Sequence, residues 1–232
     1  MIALLQGAAQ DPNQAASAFA SPGRLPAGLE VALALTLLSL LPAILMSVTC
    51  FTRIVIVLSF VRRAMALQEL PPNQVIIGLS LFLTLFVMYP TGTQVYDRAV
   101  RPYSEGQLSL QDAGAEGSKI LKVFLLKHAR DQDLALFVEV AHAEKVASKE
   151  ELELRIVVPA FLLSEIKTAF TMGFLIFLPF VLIDLVVSAV LLAMGMFMLP
   201  PTMISTPLKV LLFVLVDGWN LVIRSLVDSV SA

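Results

Sequence analysis

Between Thr168 and Leu199 the chain carries a single ionisable side chain, Asp184, in 32 positions. A run this long and this apolar has few folded fates. About 20 apolar residues are enough for a helix to cross the ~30 Å hydrocarbon core of a bilayer. Inside that core every backbone N–H and C=O must be satisfied within the structure, and a helix satisfies its own. A second run, Val31 to Val61, is interrupted only by Arg53 and a few small polar residues. Val75–Tyr89, closed by Pro90, and Pro207 to about Leu226 complete a set of four hydropathic spans. The fold class follows: all-α, a polytopic membrane protein of long kinked helices and helical hairpins. The two longest runs exceed one straight crossing, so they either tilt strongly or stand partly outside the bilayer. Pro179, inside the longest, predicts a kink or a hairpin there.

Composition agrees. The chain is 58% hydrophobic and 15% charged, against about 45–50% and about 25% in soluble domains. A net charge of −2 argues against a nucleic-acid role, because phosphate binding leaves a basic footprint. The charge is also segregated. Gln94 to Arg155 holds nine Lys/Arg and eleven Asp/Glu, 20 of the 34 charged residues in 62 positions. A polar segment is therefore set between apolar ones. Arg62 and Arg63 close the first run, and the positive-inside bias places that end in the cytoplasm. Gln68-Glu69-Leu70-Pro71-Pro72-Asn73 reads as a turn, so the second span returns outward and the polar segment lies in the periplasm. Four regions result: a flexible lead at 1–27, a first membrane-helix pair at 28–93, a polar helical periplasmic module at 94–155, and a second membrane-helix pair with a Met-rich loop at 156–232.

The lead contains Pro12, Pro22 and Pro26 and an Ala18-Phe19-Ala20 stretch that looks like a cleavage site. It lacks the basic start and long apolar core of a full signal peptide, so at most it is the remnant of one. In the polar module, Ile120, Val123, Phe124 and Lys127 fit one helical face and Leu134, Phe137, Val138 and Ala141 another. Asp131 and Asp133 sit where a helix start favours negative charge. Two or three helices are expected.

Ionisable groups within membrane segments are costly and mark function by default. Arg53, Glu165, Lys167, Asp184, Lys209 and Asp217 are of this kind. Glu165 and Lys167 are two residues apart and face away from each other on a helix, so each needs a partner from another helix, another subunit or water. Lys209, Phe213 and Asp217 fall on one stripe, but Lys209 and Asp217 stand about 12 Å apart along the axis. These charges either line a conduit or pair to hold helices and copies together; pairing is the favoured reading. His128 and His142 lack a metal-ligand spacing and are expected on the surface. Cys50, the sole cysteine, reads as a small buried hydrophobe. No metal site and no cofactor is expected.

Met194, Met196, Met198 and Met203 crowd around Gly195 and the Pro200-Pro201 break. Methionine is deformable and re-packs around varied partners, which suits a soft gasket; gap-filling in a core is the plainer alternative. The chain carries no G-x-S-x-G, P-loop, H-E-x-x-H or G-x-G-x-x-G pattern, so a transporter or structural role is favoured over an enzyme. Asp184 and Asp217 are the only candidates for an intramembrane aspartyl protease and sit in no such motif. A small-molecule or ion carrier would want internal repeats, and none is evident.

Several blocks are familiar in order. Phe51–Phe60, Pro71-Pro72-Asn73-Gln74-Val75, Gly78–Thr84, Pro159-Ala160-Phe161, Ser164–Phe170, Gly173-Phe174, Pro179-Phe180, Ile183–Val186, Gly195–Met198 and Leu215–Trp219 resemble the FliP/SctR type III export-gate family. The likeness runs from about Leu35 onward. Val95-Tyr96-Asp97, Pro102-Tyr103, Arg130-Asp131, Asp133–Phe137 and Pro200-Pro201 are similar to the flagellar branch, the injectisome branch being the alternative. The resemblance implies a ring of copies, pentameric in the family, with FliQ-like and FliR-like membrane subunits and FlhB- and FlhA-like export components. Such a ring would sit in the inner membrane at the flagellar basal body and pass unfolded flagellar proteins. It further implies that Met194, Gly195, Met196, Phe197, Met198 and Met203 form a pore gasket, with Phe197 in place of the family's usual central Met.

Overall fold

The computed structural model describes residues 27–67, 70–143 and 148–231. The lead with its cleavage-like stretch, Ala27 excepted, and the turn residues Gln68 and Glu69 lie outside the described residues. The chain divides into two compact units, one ending at Ile44 and the other starting at Leu45. Among the described residues the structure is helical throughout, with no strand.

In the first unit the described residues belong to one apolar helix, α1 (Ala27–Val48). Leu29, Val31, Leu35 and Leu38 are exposed along it. Its hydroxyls bond to their own helix: Thr36 Oγ1 donates to Ala32 O and Ser39 Oγ to Thr36 O, both at 2.8 Å. The same back-bonding recurs at Ser59, Ser80, Thr84 and Thr171. It explains how helices this apolar carry Ser and Thr without leaving a polar group unpaired in hydrocarbon.

The second unit is built on a helix crossing. α2 (Phe51–Ala64) packs chiefly on α7 (Leu154–Ala193) and on α3 (Asn73–Val95). Ile54, Val57, Leu58 and Val61 form the buried stripe of α2, spaced three and four apart. They meet Ile76 and Leu83 of α3 and Ala169 and Phe180 of α7. Gly173 makes the crossing close: a Cβ there would lie 2.6 Å from the Phe60 ring, which itself sits edge-on to Phe170 at 5.4 Å.

The helices are longer than proline positions suggested. α3 does not stop at Pro90 but runs through it, and a π-turn at Tyr96–Val100 carries it into α4 (Arg101–Ser104). The widened turn stands just before Pro102, whose missing N–H a regular helix would need. Likewise α7 holds both Pro159 and Pro179 in 40 residues without a break, so the hairpin turn lies after Ala193, not at Pro179. At 1.5 Å per residue α7 is about 60 Å long, about twice a hydrocarbon core. Beyond the turn, the expected last span from Pro207 to about Leu226 is divided between α8 (Thr202–Leu215) and α9 (Gly218–Ser231). They meet at 65°, at Asp217, whose φ is +51°.

The polar segment contributes α5 (Leu110–His128) and α6 (Asp131–Val140). Ser109 caps α5, its Oγ accepting from Asp112 N at 3.2 Å. Leu125, Leu134, Phe137 and Val138 join Ile156, Val157 and Phe161 of α7 in a second core. The α6 face is the one the periodicity predicts, save that Ala141 is exposed. On α5, Ile120 and Phe124 turn inward, but Val123 and Lys127 are exposed and Leu125 takes the core position. By length and composition α3–α4 and α7 each suffice to cross a membrane; residues 38–64 and α8–α9 qualify only as bent pairs.

Candidate functional site: ion-paired crossings and an exposed methionine loop

Each expected intramembrane charge has a definite position. Arg53, one turn into α2, is 3% exposed and Glu165 of α7 is fully buried. Arg53 Nε donates to Glu165 Oε2 at 3.0 Å and Nη2 donates to Oε1, a two-pronged pair. The remaining fork, Nη1, donates to Ser229 O at 2.6 Å and approaches Ser229 Oγ at 3.1 Å. One guanidinium thus joins α2, α7 and the last turn of α9. Its rigid fork suits this; a lysine would not serve three directions.

Lys167, two residues on and turned away, pairs with Asp133 of α6. Asp133 is 1% exposed. Ser164 Oγ lies 2.8 Å from Asp133 Oδ2 and also accepts from Arg130 N at 2.9 Å. Burial pushes the Asp133 carboxyl up, but the hydrogen bonds from Lys167 and Ser164 outweigh it and hold the group below its ordinary value. The helix-start aspartate is therefore also the bolt between the polar segment and α7.

A third pair ties the hairpin: Lys209 Nζ of α8 lies 2.6 Å from Asp184 Oδ2 of α7. Asp184 Oδ1 and Ser205 Oγ are buried there without a hydrogen-bond partner among the described residues, although Ser205 lies beside the carboxylate. Asp217 joins none of these pairs. It is exposed at the α8–α9 corner, so the Lys209–Phe213 stripe does not continue through it.

His128 is not a surface group. It is half-buried, stacked on Phe124, with Nδ1 2.8 Å from Phe124 O and Nε2 2.9 Å from Val230 O. His142 is exposed at the end of α6. Ser229, Ser164 and Asp133 were not identified as site residues from sequence; the two serines carry no charge to mark them and the aspartate had a sufficient local explanation.

The methionine loop joins α7 to α8. Gly195 takes φ +75°, and its N–H donates to Leu192 O while Met196 N donates to Leu191 O, both at 3.0 Å. This closes α7 with a left-handed turn that a side chain would strain by about 1–2 kcal/mol. Beyond it the side chains project outward: Met194, Phe197, Met198 and Met203 are exposed, Met198 to 97%. Met196 is also exposed. No described group of three or more His, Cys, Asp or Glu side chains is arranged to hold a metal.

Long apolar helices, crossings held by buried ion pairs and a broad apolar exterior define a polytopic α-helical membrane protein. The comparisons make this specific. The model of the FliP family matches residues 34–226, and the chain belongs to that family. It is 51% identical over 208 residues to the flagellar biosynthetic protein FliP of Bacillus subtilis (strain 168), covering 90% of this chain and 94% of that relative. It is 50% identical over 195 residues to the protein of the same name from Pectobacterium carotovorum subsp. carotovorum, covering 84% and 76%. The Aquifex aeolicus (strain VF5) protein of that name is 46% identical over 209 residues, covering 89% and 87%.

Proposed function

We propose that this chain is the pore-forming subunit of the flagellar type III protein export gate. The observation that carries the proposal is membership of the FliP family over residues 34–226, with flagellar relatives matched across most of their length. Copies of the chain form a pentameric ring in the bacterial inner membrane at the flagellar basal body. FliQ-like and FliR-like subunits complete the ring, and FlhB- and FlhA-like components feed it. Unfolded flagellar proteins are the cargo. The polar segment 94–155 faces the periplasm between the membrane-helix pairs 28–93 and 156–232.

The structure supports a division of labour within this reading. Arg53–Glu165, Lys167–Asp133 and Asp184–Lys209 satisfy charges inside the chain, so they serve to hold helices in register. Exposed Leu, Val and Phe side chains along α3, α7 and α8 remain for lipid and for neighbouring subunits. The loop Met194–Met203 is left to close the pore. Its side chains are apolar, mostly unbranched and exposed, so copies brought to a common axis would form a deformable seal. Phe197 gives the seal one stiff ring per copy.

Replacing Met196, Phe197 and Met198 together with Gly or Ala tests this. The proposal expects a membrane leaky to small ions with cargo export retained or impaired. A membrane as tight as the native one would overturn the seal. Native mass spectrometry of the complex extracted in detergent tests the ring: about five copies with two further small membrane proteins are expected, and a lone monomer or dimer would refute it.

A further inference from the structure

The last turn of α9 is held by two side chains of different kinds, Arg53 and His128. Carbonyl oxygens there have no donor within α9, and they carry the negative end of the helix dipole. Ser229 O receives Arg53 Nη1 at 2.6 Å. The next carbonyl, Val230 O, faces His128 Nε2 at 2.9 Å. Arg53 is charged at every accessible pH, so its half of the cap is permanent. The histidine half is not.

Both nitrogens of His128 point at carbonyl oxygens, Phe124 O on its own helix and Val230 O on α9. A neutral imidazole has one N–H. Either tautomer leaves one nitrogen lone pair against a carbonyl lone pair, at 2.8 or 2.9 Å. Only the doubly protonated ring donates to both. We propose that His128 is a proton-operated latch on α9: proton uptake fastens the last turn of α9 to α5, and proton loss releases it onto the Arg53 contact alone.

The charged groups nearest the ring are themselves a pair. Glu165 of α7 is close enough for its charge and that of His128 to interact, and Arg53 of α2 is paired to the same carboxylate. The other charged neighbours in sequence, Lys127 on α5 and Asp228 on α9, are exposed; α3, which also packs on α9, offers no Asp, Glu, Lys or Arg between Asn73 and Val95. The sign is then fixed. Proton uptake gives each ring nitrogen an N–H for the carbonyl it faces and proton loss leaves one nitrogen without, so the latch is fastened at low pH and released at high pH.

The test is amide exchange of the full chain in detergent or in its complex, corrected for intrinsic rates. Protection of the amides in residues 226–231 should rise about fivefold from about pH 7.5 to about pH 5.5, the worth of one hydrogen bond across the histidine range. In His128→Gln, which donates without titrating, that step should vanish. Selective ¹⁵N-histidine spectra, with exposed His142 as the internal reference, should show both His128 nitrogens protonated over the same range. Equal protection at both pH values, a step retained in His128→Gln, or a step with the ring singly protonated throughout would overturn the latch. Should His128→Gln not fold, the native protection profile and the ring spectra decide the matter alone.

Discussion

Removing either partner of the Arg53–Glu165 pair should loosen the central crossing far more than removing both. In Glu165→Ala, two forks of a guanidinium that is 3% exposed lose their acceptors, and only Ser229 remains. In Arg53→Met, a fully buried carboxylate loses both donors, and Ser229 O loses its own. Breaking a buried pair from one side costs about 3–5 kcal/mol. The double variant Arg53→Met/Glu165→Leu removes the stranded charge, and apolar replacement of such pairs is often neutral or better. It still leaves Ser229 O without Arg53, at about 1–3 kcal/mol. The double variant should therefore lie within about 3 kcal/mol of native, with a coupling of at least about 3 kcal/mol between the sites. The protein carries its own reporter. Cys50 is the only cysteine, is 1% exposed and stands three residues before Arg53. A thiol-reactive fluorophore labels it only when the crossing opens. At about 1.4 kcal/mol per decade, each single variant should label about a hundred- to a few-thousand-fold faster. Single variants that label at the native rate, or a double variant as fast as the two effects combined, would refute the reasoning.

Two further outcomes follow from named contacts. Gly173→Ala places a Cβ against the Phe60 ring at 2.6 Å, and overpacking of this kind costs about 1–3 kcal/mol; Phe60→Leu in the same chain should restore much of the thermal midpoint, and no rescue would mean the clash is not the cause. Because the Asp133 carboxyl is held below its ordinary value, its tie to Lys167 and Ser164 is in full force above about pH 4 and lost as pH falls further; Asp133→Asn should cost about 1–2 kcal/mol at neutral pH, discounted because Lys167 is half-exposed, and should flatten the acid limb of a stability profile that native protein shows.

Much of the fold was legible because hydrocarbon leaves the backbone so few options. Most of Val31–Val61 and of Thr168–Leu199 is helix, as their hydropathy requires, and α6 shows the face that Leu134, Phe137 and Val138 announce. Prolines misled. Pro90 read as a stop and Pro179 as a kink or a hairpin, yet both helices continue, since a helix this long is held by many bonds and loses only one at each proline. The corner at Asp217, where φ is positive, was hidden because the long apolar run around it masked the one local turn signal, the Asp217-Gly218 pair. At the site, the charges themselves were plain, being rare in such surroundings. Their partners were not. Arg53 and Glu165 are 112 residues apart, and no periodicity relates them. Asp133 already had a local explanation at the start of α6, which concealed its reach to Lys167. His128 carried no motif, and its partners are main-chain oxygens that every residue possesses.

The central claim is that copies of this chain meet at their methionine loops around one axis. With Cys50→Ser and Met198→Cys, the only thiol sits at the position whose side chain is 97% exposed in the single chain. Mild oxidation of native membranes should then join neighbouring copies into disulfide-linked dimers, with that thiol shielded from a water-soluble maleimide while the channel is closed. Free labelling at position 198 with no cross-link between copies would contradict the account.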